Sequence, residues 1–138
     1  MLKKNVSVRL DKTNYTCLIH DGRHKYTIDE PLDKGGSDKG PDPYSMLLAS
    51  LGSCTAITLK MYAERKGWNV EDINITMSIV PTSDNSKRTT VFVRDIDVKG
   101  RLSSEQLDRL QQIAKLCPVS KILEGSIEIT TVLKKTTS

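Results

Sequence analysis

The sequence predicts an α+β domain built around one central helix. Short segments of alternating apolar and polar residues, separated by turn residues, predict strands in the first thirty residues, on both sides of residue 85 and at the end of the chain. Between them, residues 43–66 lack an interior proline and repeat apolar side chains at helical spacing. The 138 residues contain 28% charged and 37% hydrophobic residues, a balance typical of a globular protein, which favours one domain over residues 1–138.

The first thirty residues predict three short strands joined by tight turns. The Asp21-Gly22 step between two alternating segments is a strong hairpin signal. The glycine-rich stretch that follows lacks the Gly-Lys-Ser/Thr ending of a phosphate-binding loop, and we expect it to be a flexible approach to the central helix. The predicted strands lie within residues 5–10, 15–19 and 25–28, and the predicted loop covers residues 30–43.

The central helix has a clear predicted start and end. Asp42 is a suitable N-cap and Pro43 suits the first helical position, while Gly67 follows the last charged turn and ends the helix. One apolar stripe is predicted along this helix, formed by Leu47, Leu51, Cys54, Thr58 and Met61.

The second half of the chain predicts two strands, two helices and a final strand. The pattern Ser103-Ser-Glu-Gln106 is a capping box that opens a helix, which ends near Cys117. Pro118 then starts a short helix that Gly125 ends. The predicted strands cover residues 72–80, 90–98 and 126–133, with a polar turn over residues 82–87.

Composition argues against several classes of partner and cofactor. The net charge of +4 comes from 21 basic and 17 acidic residues that are interspersed, and aromatic residues are only 4%, so no nucleic-acid partner is expected. The longest uninterrupted apolar run is too short to span a bilayer and no segment resembles a signal peptide, so we expect a cytoplasmic protein without a membrane partner. There is no Cys-x-x-Cys, and His20 and His24 flank a predicted turn, so neither a metal site nor a cofactor is predicted.

Three cysteines remain, and two of them have unusual surroundings. Cys17 alternates along a strand and is expected to be a small core residue. Cys54 lies beside the small residues Gly52 and Ser53, about 16 Å along the helix from Pro43. At that distance the field of the helix N-terminus has faded. Activation of the Cys54 thiolate therefore needs a nearby cation or hydrogen-bond donor. Cys117 precedes a helix-starting proline, where free N–H groups favour a thiolate, which predicts that it is the more acidic of the two.

The segment GGSDKGPDPYSMLLASLGSCTA at residues 35–56 resembles the loop and cysteine helix of the OsmC/Ohr family of osmotically inducible and organic hydroperoxide resistance proteins. Residues 59–68 and Cys117-Pro-Val also resemble that family. The resemblance implies antiparallel sheets around the cysteine helix and an intertwined homodimer with active sites at the subunit interface. It also implies a thiol-dependent peroxidase: Cys54 reduces an organic hydroperoxide or hydrogen peroxide and becomes a sulfenic acid, Cys117 resolves it as a disulfide, and a dithiol reductant restores the pair.

The chain departs from the family pattern at the expected electrostatic partners of the thiol. Peroxidase members carry a glutamate soon after the helix-start proline, paired with an arginine over the thiol, whereas Tyr44 and Ser45 occupy those positions here. Arg9 and Arg23 are both candidates for the arginine that stabilises the thiolate. The departure keeps open an alternative, a non-catalytic or slow dimer that binds or senses a small apolar ligand or oxidant. A structural dimer in which both cysteines are core residues is a third interpretation.

Overall fold

The structure, a computed structural model that describes residues 4–80 and 89–136, confirms the α+β class. The described residues form two compact units, one from the ranges 1–50 and 77–94 and one from the ranges 51–76 and 95–138. The prediction of a single domain stays a prediction. The elements are β1 (Ser7–Leu10), β2 (Cys17–His20), β3 (Lys25–Ile28), α1 (Pro43–Lys66), β4 (Asn69–Val80), β5 (Val91–Arg101), α2 (Ser104–Ala114) and α3 (Pro118–Glu124).

The first unit contains a three-stranded antiparallel sheet in the order β1-β2-β3. The predicted hairpin turn between β2 and β3 is present, with Gly22 at a φ of 98°. The carboxylate of Asp21 accepts hydrogen bonds from the N–H groups of Arg23 and His24 at 2.9 and 2.7 Å. His20 and His24 therefore lie at the turn, as predicted.

Asp29, at the end of β3, holds the glycine-rich loop in place. Its buried carboxylate accepts hydrogen bonds from the N–H groups of Tyr15, Ser37 and Lys39 at 3.2, 3.4 and 3.2 Å. Burial raises the pKa of Asp29, but these bonds, together with those from the Thr16 hydroxyl and the Glu30 N–H, lower it to about 2.

The loop also approaches the backbone of β3 closely. A Cβ atom at Gly40 would collide with the carbonyl oxygen of Thr27, so only glycine fits there. The N–H of Asp29 donates to the carbonyl of Pro41 at 3.0 Å. The expectation of a flexible approach to α1 was wrong, because the loop is tied to β3 by these bonds.

Helix α1 begins and ends at the predicted residues. The Asp42 carboxylate accepts a hydrogen bond from the Ser45 hydroxyl, and the Asp42 carbonyl accepts one from the N–H of Met46 at 3.1 Å. Gly67, with a φ of 69°, adopts the left-handed conformation that glycine allows and ends the helix.

The buried face of α1 differs from the predicted stripe. Leu47 and Met61 are 39% and 58% exposed, and the buried positions are Leu51, Gly52, Thr55, Leu59 and Ala63. These positions advance mainly in steps of four, so the buried row lies about one residue away from the predicted one. The buried row includes Thr55, which an apolar pattern does not count because its side chain carries a hydroxyl.

By length and composition, α1 is apolar enough to cross a membrane, with a mean hydropathy of 1.3 over an 18-residue window. The expectation that the chain has no such segment was based on the length of uninterrupted apolar runs. Small polar residues interrupt those runs in α1, although its mean hydropathy is high. The core helix of a soluble protein meets the same test, and several α1 residues do form a core here.

The second unit has its core between α1, β4 and α2. Six buried residues form it: Leu59, Ala63, Val70, Leu110, Ile113 and Ala114. The capping box of α2 is present, since the Ser103 hydroxyl accepts from the N–H of Gln106 at 3.1 Å and the Gln106 side chain accepts from the N–H of Ser103 at 2.8 Å. The short helix after Pro118 and its end at Gly125 are also confirmed.

Strands β4 and β5 pair with each other, and each extends beyond its predicted bounds. The predicted turn over residues 82–87 lies outside the described residues. The prediction of a final strand over residues 126–133 was wrong, because these residues pair with no strand in the described part of this chain. Their alternating side chains, including Ile129 and Leu133, are instead exposed.

Candidate functional site

The structure brings the two cysteines singled out by the sequence close together. Cys54 lies on α1 and is partly exposed, whereas Cys117 caps the N-terminus of α3 and is 0% exposed. A side-chain hydrogen bond from Cys54 is among the interactions that lower the pKa of Cys117. Two thiols separated by 63 residues of sequence therefore occupy one site.

Cys117 forms hydrogen bonds with two further residues. Its sulfur accepts from the N–H of Ser120, with an N–Sγ distance of 3.4 Å, because extended backbone at Cys117 turns the side chain over the first turn of α3. The hydroxyl oxygen of Thr55, on α1, lies 3.5 Å from the same sulfur. Both Thr55 and Ser120 are buried, so these bonds form away from water.

These contacts make Cys117 an acidic thiol. Burial raises the pKa of Cys117, but hydrogen bonds from Ser120, Thr55 and Cys54 favour the thiolate and lower the pKa from 9.0 to about 7. The direction agrees with the acidity expected for a cysteine at the start of a helix. A substantial share of the Cys117 side chains is therefore in the thiolate form at neutral pH.

Thr55 and Ser120 were not identified from the sequence. Thr55 directly follows Cys54 and lies four residues from the apolar Leu51 and Leu59. A polar residue in a row of apolar helical positions could have indicated that Thr55 has a functional role. Ser120 is the third residue of α3, where a backbone N–H has no partner within the helix. Only the meeting of α1 and α3 gives these two residues a common role.

The predicted electrostatic partners of the thiol lie in the first unit. Arg9 is on β1, where its guanidinium is 3.9 Å from the carboxylate of Asp11, and Arg23 is in the turn between β2 and β3. Their role toward Cys54 stays a prediction. At the positions of the family glutamate, Tyr44 is exposed and Ser45 donates its hydroxyl hydrogen bond to the helix cap Asp42.

Cys17 is on β2 and is partly buried, as a strand residue with a packing role would be. Within the ranges 4–80 and 89–136, no group of three His, Cys, Asp or Glu side chains is arranged to hold a metal ion.

A long helix that presents one thiol to a second thiol at the start of a short helix, within an α+β fold, defines a class of small two-cysteine proteins. The model of one protein family, described as OsmC-like protein, matches residues 36–132, a range that contains both cysteines. The chain belongs to this OsmC/Ohr family.

Solved structures share the fold of this chain. An OsmC-like protein from Mycoplasma pneumoniae superimposes with a TM-score of 0.74 at 16% identity, covering 90% of this chain and 89% of that one. An OsmC-like protein of unknown function from Vibrio cholerae gives a TM-score of 0.71 at 16% identity, covering 90% and 95%. The organic hydroperoxide resistance protein OhrB of Bacillus subtilis gives 0.59 at 21% identity, covering 90% and 92%. At these identities the likeness establishes the fold, and comparison with curated proteins gave no match.

Proposed function

We propose that this protein is a thiol-dependent peroxidase that reduces organic hydroperoxides or hydrogen peroxide. The observation that carries the proposal is the proximity of Cys54 to Cys117, within reach of a side-chain hydrogen bond that lowers the pKa of Cys117. Two sulfurs in contact can form a disulfide after one of them has been oxidised, which is the chemistry that a two-cysteine peroxidase needs.

The exposure of the two sulfurs suits Cys54 as the attacking thiol and Cys117 as the resolving thiol. In the first step, the thiolate of the partly exposed Cys54 attacks the outer oxygen of the hydroperoxide. The O–O bond breaks, the alkoxide takes a proton and leaves as an alcohol, and Cys54 becomes a sulfenic acid. The buried thiolate of Cys117 then attacks the Cys54 sulfur, and the released hydroxide takes a proton to form water.

The acidity of Cys117 favours the second step. A pKa of about 7 keeps a large thiolate fraction at neutral pH, ready to attack the sulfenic acid as soon as it forms. The relatives of similar fold include organic hydroperoxide resistance proteins from Bacillus subtilis and Legionella pneumophila, which favours hydroperoxides as the substrate class. A dithiol then reduces the disulfide and completes the cycle.

Dithiol-dependent consumption of cumene hydroperoxide, followed by stopped-flow absorbance, tests the proposal. We expect the wild-type protein and Cys17→Ser to turn over at the same rate, since Cys17 lies on β2 in the first unit and the thiol pair lies in the second unit. The proposal fails if consumption is no faster than the reaction of the dithiol with the hydroperoxide alone.

A slow or sensing protein is the second candidate, and one observation favours it. Tyr44 and Ser45 occupy the positions where peroxidase members carry a glutamate, and neither side chain has a carboxylate. The Ser45 hydroxyl is bonded to Asp42. Such a protein binds or senses a small apolar ligand or an oxidant. In the same assay, it would form one disulfide per chain slowly and show no sustained turnover.

We also propose that the protein is a homodimer. Ile57 and Met61 on α1 are exposed apolar residues, and Ile129, Val132 and Leu133 in the alternating C-terminal segment are 85–95% exposed. A segment with a strand pattern and no strand partner in the described chain suits pairing with a second copy. Sedimentation equilibrium is expected to give twice the chain mass of 15.4 kDa, whereas a single-chain mass at micromolar concentration would contradict the dimer.

A further inference from the structure

We propose that the reductant attacks the disulfide at Cys54, that Cys117 is the leaving sulfur, and that the Thr55 hydroxyl acts as a positioning group that turns to stabilise the departing thiolate. This inference rests on the disulfide that the proposed function requires. It concerns the direction of the reductive half of the cycle, which the assignment of an attacking and a resolving cysteine leaves open.

Access to the two sulfurs differs. Cys54 is partly exposed on α1, whereas Cys117 is 0% exposed and lies among buried side chains that include Thr55 and Ser120. A thiolate attacks a disulfide in line with the S–S bond, so it must reach one sulfur from the outside. Cys54 is the sulfur that an external thiol can reach.

Hydrogen-bond donors are also distributed unequally. The Ser120 N–H points at the Cys117 sulfur from α3, and the Thr55 hydroxyl lies 3.5 Å from it on α1. Both groups stay in place when the S–S bond breaks, because they belong to helical backbone and to a buried side chain. The negative charge that develops on Cys117 therefore meets one donor that is already oriented, the Ser120 N–H, and a hydroxyl that only has to rotate.

Thr55 makes a second contact that turns this arrangement into a switch. Its hydroxyl oxygen lies 2.8 Å from the carbonyl oxygen of Leu51, to which it can donate. A hydroxyl has one proton, so it donates either to Leu51 or to the sulfur. With a neutral Cys117 thiol, the S–H donates to Thr55 and Thr55 donates to Leu51. With a Cys117 thiolate, the hydroxyl must rotate toward the sulfur.

In the reductive step both electrons come from the dithiol. The thiolate of a dithiol attacks the Cys54 sulfur, a mixed disulfide with Cys54 forms, and the Cys54–Cys117 bond breaks with its electron pair on the Cys117 sulfur. The second thiolate of the reductant attacks its own sulfur in the mixed disulfide. The reductant leaves as a cyclic disulfide, and Cys54 leaves as a thiolate that takes a proton from water. A leaving thiol of low pKa leaves faster, and the lowered pKa of Cys117 agrees with this direction.

The direction is tested by trapping the mixed disulfide. Cys17→Ser protein is oxidised with diamide, treated briefly with excess glutathione, quenched with acid and digested for mass spectrometry. We expect glutathione on the Cys54 peptide and a free thiol on the Cys117 peptide. Glutathione on Cys117 would overturn the inference, and so would failure of diamide to link the two cysteines.

The role of Thr55 is tested by Thr55→Val, which removes the hydroxyl, beside Thr55→Ser, which keeps it and removes the methyl group. In a Cys17→Ser, Cys54→Ser background, thiolate absorbance at 240 nm reports Cys117. Of the three residues whose hydrogen bonds lower the pKa of Cys117, Cys54 is titratable while Thr55 and Ser120 are neutral, so this background removes the other thiols from the titration. We expect Thr55→Val to raise the midpoint by about one unit relative to the background, as loss of a hydrogen bond to a charged group implies, and Thr55→Ser to leave it unchanged.

In otherwise wild-type protein, Thr55→Val is expected to slow reduction of the disulfide by dithiothreitol severalfold, and Thr55→Ser is expected not to. If neither variant moved the titration midpoint of Cys117 from that of the background, or if both moved it by the same amount, Thr55 would act only through packing. Should Thr55→Val not fold, the glutathione adduct in Cys17→Ser protein still decides the direction of attack. Absent peroxide turnover combined with an adduct on Cys54 would remove the proposed function and leave this inference standing.

Discussion

Cys54→Ser is expected to lower the rate of hydroperoxide consumption by about a thousandfold or more, the scale seen when a nucleophile is removed from an active site. A serine hydroxyl is far less acidic than a thiol and is a poor nucleophile toward the O–O bond, so the first step stops. Because serine is close to cysteine in size and Cys54 is only partly buried, the fold is expected to persist, which circular dichroism can check.

Cys117→Ser gives the matched contrast to this variant. It keeps the attacking thiol, so one equivalent of hydroperoxide is expected to react and leave a sulfenic acid on Cys54, which dimedone traps. Sustained turnover with dithiol then falls. Full activity of Cys54→Ser, with Cys117→Ser inactive in the first step, would reverse the two roles.

Leu59→Ala is expected to destabilise the protein by about 2–5 kcal/mol, the range for truncating a buried leucine. Leu59 is 1% exposed and packs in the core of the second unit with Val70, Leu110 and Ile113, so its removal leaves a cavity between three elements. Urea denaturation followed by circular dichroism measures the change in the free energy of unfolding.

Leu107→Ala on α2 is the matched control, because Leu107 is 43% exposed and is not among the buried core residues of this unit. We expect a change of less than about 1 kcal/mol for this variant. Equal effects of the two substitutions would mean that the core of this unit is not where the structure places it.

The ends of the helices were predictable because the interactions that set them are local. Asp42 and Pro43 start α1, Gly67 ends it, and the capping box at Ser103 starts α2, each through contacts within a few residues. The hairpin at Asp21 is local in the same sense. Such contacts form in whatever tertiary surroundings the segment meets, which is why the pattern alone reveals them.

Features that depend on distant neighbours were missed or mistaken. The glycine-rich loop has the composition of a flexible segment, yet Asp29 holds it through N–H groups on two sides. The segment over residues 126–133 has the pattern of a strand, but a strand needs a partner, and the described chain supplies none. On α1, the pattern identified an apolar stripe, but the packing partners decided which row is buried.

The sequence by itself determined the helix that carries Cys54, the helix start that presents Cys117, and the family resemblance that pairs them. The tertiary structure decided what the pair can do. It placed a partly exposed sulfur near a buried one and brought the Ser120 N–H and the Thr55 hydroxyl within hydrogen-bonding distance of the buried sulfur. Acidity and access depend on desolvation and on donors from elsewhere in the chain, and these exist only after α1 and α3 have packed together.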